Sequence, residues 1–307
     1  MKIICTTVVR AAEQGETHGG LYVIDLEKDD IVYHKPLSSD FVNYNERGGE
    51  RGLRGIEVLD DRIIVAGATG LMELDKDTYE IVKKVENPTA FQSIHEICFH
   101  DDSIWVTSTG RNCIVKTDLD FNVQKIWECE AEYFDDYQKI VSVKEVSCEE
   151  ASCNSTSSCM NQRTDENHIN SISAFNGRVV FSAALSDLYE VETGNLVAPR
   201  TSGGFTHNFY EYPDMIISNK TTLRHIKIVS QGQELLIPVP SSRHADQSSD
   251  KVAEDNWNRG LARKDNLLFI GSSPARILVF DLETLRYKRE IVLETDIRHC
   301  IHGLEIL

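Results

Sequence analysis

The chain has 307 residues, a formal net charge of -17 and a sequence pI near 5.0. Such an acidic balance argues against a general grip on nucleic-acid phosphates or on an anionic membrane surface, so neither is expected as a partner. No run approaches the roughly 18 apolar residues of a membrane span, and residues 1–16 turn polar without a signal-peptide core, so a soluble, cytoplasmic protein is expected.

Taken in order, residues 1–7 read as a β-branched strand, and Leu21-Tyr22-Val23-Ile24-Asp25 alternates apolar and polar residues as a half-buried strand does. A unit then begins that recurs along the chain. Leu53-Arg54-Gly55-Ile56 opens a first strand, Asp60-Asp61 makes a turn, residues 62–67 form a second strand, and Leu71-Met72-Glu73-Leu74-Asp75 forms a third that closes on an acid. The same plan returns from Ile94-His95-Glu96-Ile97, with a turn at Asp101-Asp102 and a third strand at Ile114-Val115-Lys116-Thr117-Asp118. Further copies start at Asn170-Ser171-Ile172, His207-Asn208-Phe209 and Arg259-Gly260-Leu261. Third strands at residues 188–192 and 277–281 belong to two of them. Each hairpin carries the Asn, Asp, Gly or Pro that a tight turn needs.

The last residues, Ile301-His302-Gly303-Leu304-Glu305-Ile306-Leu307, are a first strand with nothing after it, and residues 1–7 are a second strand with nothing before it. Joined, they complete a unit. First strands at Arg54, His95, Asn170, His207, Arg259 and His302 therefore predict an all-β, six-bladed β-propeller of four-stranded blades. Pairing of the N-terminal strands with the C-terminal strand would close the ring and hide its edges. One domain over residues 1–307 is expected.

First strands line the channel of a propeller. With the split blade counted as the first, the channel positions run His302, Arg54, His95, Asn170, His207, Arg259. Histidine occupies alternate blades, so His95, His207 and His302 would approach the axis about 120° apart. Three imidazoles so placed suit one divalent ion, such as iron, zinc or manganese, with positions left open for chemistry. Arg54 and Arg259 suit bidentate capture of a small anionic substrate. Asn170 would orient a substrate oxygen, and His168 lies near enough in sequence to reach the same mouth. The expected function is thus a metal-dependent enzyme, whether hydrolase, lyase or oxygenase. Two alternatives stand beside it: an acid/base enzyme using the His/Arg ring without metal, and a non-catalytic propeller that binds a ligand or protein. By strand alternation Glu96 should point away from His95, which speaks against a Glu/His pair.

Long insertions at residues 38–52, 131–169 and 241–257 precede the Arg and Asn blades and should lie on the channel-mouth face. They carry Glu46, Arg47, Glu50 and Arg51, then Tyr133 and Tyr137, then Arg243, His244 and Asp246. Cys5, Cys98, Cys113 and Cys300 sit in or beside predicted strands as small buried residues. Cys129, Cys148, Cys153 and Cys159 cluster around the second insertion, where free thiols, a disulfide or a metal clip would each fit. Asn154 and Asn219 begin glycosylation sequons that matter only in a secreted protein.

The blade plan resembles six-bladed propellers of the gluconolactonase and NHL-like kind. His168-Ile169-Asn170-Ser171-Ile172 and His302-Gly303-Leu304 also resemble a propeller family whose first strands begin with His-x-Asn-Gly-Leu-like motifs. Resemblance to the lactonases would imply a metal held by Glu, Asn and Asp, of which only Asn170 has a counterpart here. In its site logic, a ring of His also resembles the carotenoid-cleaving oxygenases, which hold iron with histidines.

Overall fold

A computed structural model describes residues 1–13, 15–38, 52–135, 137–147, 166–199, 203–243 and 255–307. Six antiparallel sheets form a six-bladed propeller. Blade 1 is the split one: His299–Ile306 pairs with Lys2–Val9, which continues into Thr17–Asp25 and Asp30–Ser38. Its register runs Ile3↔Ile306, Ile4↔Glu305, Cys5↔Leu304, so the two chain ends are fastened by a full strand pairing, as predicted.

The inner strands of blades 2 to 6 are Ile56–Val58, Ile94–His100, Ile169–Phe175, Thr206–Tyr212 and Leu261–Lys264. Where the sequence offers Asp101-Asp102 and Asn176-Gly177, both residues of each pair take positive φ, between 48° and 72°. That is the type I′ geometry whose twist matches a β-hairpin.

Two elements differ from expectation. Blade 5 has its third strand at His225–Ser230, which ends without the acid that marks the others. The second insertion is not all loop: Val123–Phe134 runs on past the usual blade edge and turns back as Tyr137–Val146, a fifth strand on blade 3. Tyr133 and Phe134 stand exposed at its tip.

Apolar residues fill the seams between neighbouring blades. Blades 2 and 3 share Ile64, Leu71, Phe91, Ile94, Val106 and Val115, while blades 3 and 4 share the Trp105–Trp127 stack with Ile172, Phe181 and Tyr189. Among the described residues the blade 4/5 seam is the thinnest, with Phe175, Val180 and Leu188 the buried members of its cluster. Cys5, Cys98, Cys113, Cys129 and Cys300 are buried thiols; Cys148, Cys153 and Cys159 lie outside the described residues. So do Glu46, Arg47, Glu50, Arg51, Asn154, His244 and Asp246. Among the described residues no helix is long and apolar enough to cross a membrane.

Candidate functional site

The channel residues are set by a β-bulge that recurs at the start of the inner strands. In blade 3 the register steps from Ile94↔Ser108 to Ile97↔Val106, which leaves His95 and Glu96 together opposite Thr107. The Thr107 hydroxyl accepts both of their backbone N–H groups, at 3.2 and 2.9 Å. Blades 1, 4 and 5 show the same irregularity at His302-Gly303, Asn170 and Asn208. A bulge breaks the side-to-side alternation, so two successive residues can face the channel.

Of the predicted positions, His95 meets His207 and His302, Asn170 reaches His207, and Arg54 and Arg259 act electrostatically on His95. The residues that follow the six predicted positions in sequence are Gly303, Gly55, Glu96, Ser171, Asn208 and Gly260. Here the alternation argument for Glu96 fails, for the bulge turns its carboxyl into the channel. Its Oε2 accepts a 2.6 Å hydrogen bond from Asn208 Nδ2, two blades away. Asn208 Oδ1 in turn accepts from the Gly260 N–H at 2.8 Å and from Asn219 Nδ2 at 3.2 Å. Three glycines make room for this plug. A Cβ on Gly55 would lie 2.6 Å from the Ile97 nitrogen and 2.8 Å from Glu96 Oε1, and one on Gly303 would lie 2.5 Å from the Arg54 carbonyl oxygen.

His168, His207 and His302 all lie close to His95. Among the described residues, His95, His168 and His207 form a group whose ligand atoms all lie within 4.8 Å of one another. The rings of His95 and His168 meet edge-on at 4.8 Å, and His95 and His207 are 6.1 Å apart. His168, at φ 46°, comes from the connection into blade 4, so the set spans blades 3 to 5 and sits off the axis. His302, expected as the third ligand by symmetry, instead stands edge-on to His95 at 5.3 Å, and His168 takes its place in the set. Arg54, whose Nη1 donates to the Ile94 carbonyl, acts on His95, and Arg259 and His302 lie near enough to act on both His95 and His207. Arg10 stacks on Trp257 at 4.1 Å nearby.

Burial pushes His95 well below the usual imidazole range, and the neighbouring His168, Arg54, His302 and Arg259 push it further. Burial does the same to His207, seconded by Arg259, His302, His168 and Arg10. Both rings are therefore neutral at neutral pH, the form that ligates metals. For the buried carboxyls at and around the plug the opposite holds. Burial raises Glu57 to about 8 and raises Glu96 and Glu305 well above the carboxylate range, each pair of charges adding to the cost.

The residues fit a divalent ion in kind and nearly in place. Zinc–nitrogen bonds of about 2.0–2.1 Å in a tetrahedron put ligand nitrogens about 3.4 Å apart, so the widest separation here has to close by about 1.4 Å. Rotations of the side chains at χ1 and χ2 supply a movement of that size.

No family model and no curated protein matches the chain. Solved structures do. The chain is similar to a structure from a nidogen/laminin complex at 7% identity, with 99% of this chain and 98% of that one covered and a TM-score of 0.61. It is similar to a protein of unknown function from Bacteroides caccae at 9% identity, with 98% of each chain covered and a TM-score of 0.56. It is also similar to AztD of Citrobacter koseri at 10% identity, covering 99% and 97%, with a TM-score of 0.51. At such identities the likeness speaks for the six-bladed propeller plan alone.

Proposed function

We propose that the protein is a metal-dependent enzyme that acts on a small anionic substrate at the channel mouth. The observation that carries this reading is the convergence of His95, His168 and His207 within 4.8 Å, with two of the rings held neutral by burial and by nearby cationic groups. A divalent ion held there would supply a Lewis-acidic position with sites left open to substrate or water.

The chain's own residues then divide the work. Arg54 and Arg259, near enough to act on His95, would bind the anionic end of the substrate. Asn170, 1% exposed, has an Oδ1 with no hydrogen-bond partner among the described residues and would orient a substrate hydroxyl or water. His302 lies against His95, where it can accept or return a proton. The Glu96–Asn208 hydrogen bond spans the channel beneath and would hinder passage there.

Metal analysis of purified protein, and of protein reconstituted with Zn²⁺, Fe²⁺ or Mn²⁺, tests the proposal. One equivalent of metal is expected in the wild type and in His302→Ala, with loss in His168→Ala and His207→Ala. Absence of metal under every condition would overturn it in favour of the metal-free acid/base reading. That alternative already has one point of support, since Asn170 Nδ2 sits 3.2 Å from His207 Nε2 and satisfies that lone pair without an ion.

A further inference from the structure

We propose that Thr221 is a positioning residue that fixes the tautomer of His207 and thereby presents the Nε2 lone pair to the channel mouth. The Thr221 hydroxyl owns a single proton. It lies 2.8 Å from the backbone carbonyl oxygen of Asn258, which can only accept, so the proton points there. Toward His207 Nδ1, also at 2.8 Å, the hydroxyl can therefore only accept, and Nδ1 must carry the ring proton. In a neutral imidazole the lone pair is then on Nε2. Asn170 agrees with this from the far side of the ring, because its Nδ2 donor approaches Nε2 at 3.2 Å.

The relay is rigidly mounted. Thr221 is 2% exposed, and its backbone N–H donates to the Phe205 carbonyl at 2.9 Å. Asn258 is fully buried, and its Nδ2 donates to Asn219 Oδ1 at 2.8 Å and to the His225 carbonyl at 2.9 Å. Asn219 leads on to Asn208 and so to Glu96, which ties the orientation of His207 to the plug below it.

Blade 3 supplies an internal contrast. Thr109 occupies the place of Thr221 and donates in the same way to the carbonyl that precedes the next ring residue, that of Ile169. Yet His95 Nδ1 is buried and has no hydrogen-bond partner among the described residues. The two imidazoles thus differ in kind: among the described residues, His207 is anchored through Nδ1 and His95 is not.

The tautomer stands on hydrogen bonds only, whereas its consequence for metal rests on the proposed metal-binding function. The experiment separates the two. Long-range ¹H–¹⁵N correlation on metal-free, ¹⁵N-histidine-labelled protein should show His207 protonated at Nδ1 in the wild type and in Thr221→Ser, and mixed tautomers in Thr221→Val. Titration with Co²⁺, read by its visible absorption, should weaken about 10- to 100-fold in Thr221→Val and stay within a few-fold in Thr221→Ser. Protonation of wild-type His207 at Nε2, or an unchanged tautomer in a folded Thr221→Val protein, would overturn the relay. Should the tautomers behave as stated while no variant binds Co²⁺, the relay is upheld and the metal-dependent function falls.

Discussion

Replacing Glu57 with Gln should flatten the pH dependence of stability between pH 6.5 and 8.5. Glu57 is raised to about 8 because burial penalises its charged form. Unfolded, it titrates near 4.3. Between these values the folded chain holds a proton that the unfolded chain has released. The associated stability is complete below about pH 4.3, is lost as pH rises toward 8, and changes no further above that. A gap of nearly four pH units sets an upper bound of about 5 kcal/mol. Glu57 keeps partial contact with channel solvent, and screening there brings the expected loss down to about 1–2 kcal/mol. The groups that act on this part of the channel are Glu96, Glu305, Cys98 and Tyr210. The carboxyls among them titrate in the same sense, so Glu57→Gln removes part of the slope and not all of it. Buried His95 and His207 act in the opposite sense, favouring the folded state as pH rises to about 6.5, which is why the window starts there. Urea denaturation of both proteins at half-unit steps from pH 6.5 to 8.5 measures the difference. A mutant less stable than wild type by the same amount at every pH would refute the account, since a freely solvated Glu57, ionised throughout this range in both states, predicts no change of slope.

Two further outcomes follow from the packing. Gly55→Ala should cost about 1–3 kcal/mol in chemical denaturation, because the new methyl meets backbone at the Ile97 nitrogen as well as the Glu96 carboxyl; an unchanged midpoint would show that the plug is not packed as described. In native-state hydrogen exchange, Leu188–Glu190 and Leu196–Ala198 of blade 4 should open at lower free energy than Ser103–Ser108 and Cys113–Thr117 of blade 3, since the blade 4/5 seam buries the fewest apolar side chains. Equal protection in the two blades would contradict that ranking.

The ring was legible in the sequence because each inner strand carries its marker at the same distance from a turn with a mechanism. Asp101-Asp102 and Asn176-Gly177 fix hairpin positions, hairpin positions fix the slot, and the slot holds His, Arg or Asn. Closure was legible for a similar reason, since a lone first strand at one end and a lone second strand at the other have one economical pairing. Glu96 was misplaced because alternation holds only in a regular strand, and a bulge inserts a residue without leaving a pattern in hydrophobicity. The signal was present in another form: Gly55, Gly260 and Gly303 share the slot of Glu96 and Asn208, and large polar residues opposite glycines are what a channel closed by side chains requires. The third strand of blade 5 escaped because it ends at Ser230 and not at an acid. The strand Tyr137–Val146 looked like loop because an outermost strand is wetted on much of its surface and loses its apolar alternation. Thr221 could not be read at all without strand register, since what matters is which carbonyl its hydroxyl reaches.

The departure from threefold symmetry moves the candidate ligands onto neighbouring blades. Three histidines at alternate blades would have centred a metal on the axis, with arginines interleaved among the ligands. The observed set runs through blades 3 to 5, while Arg54 and Arg259 come from blades 2 and 6. Like charges crowd a metal that sits among them, whereas a metal and guanidinium groups carried on different blades can grip two ends of one anionic molecule. The same off-axis placement sets the imidazoles across the thin blade 4/5 seam, with Asn170 Nδ2 and His207 Nε2 facing each other over it. An ion shared by His95, His168 and His207 would therefore stitch blade 5 to blade 3 past the least buried seam of the ring. At one hundred times its dissociation constant it would add about 2.7 kcal/mol to folding, and local protection should rise most in the blade that is weakest without it.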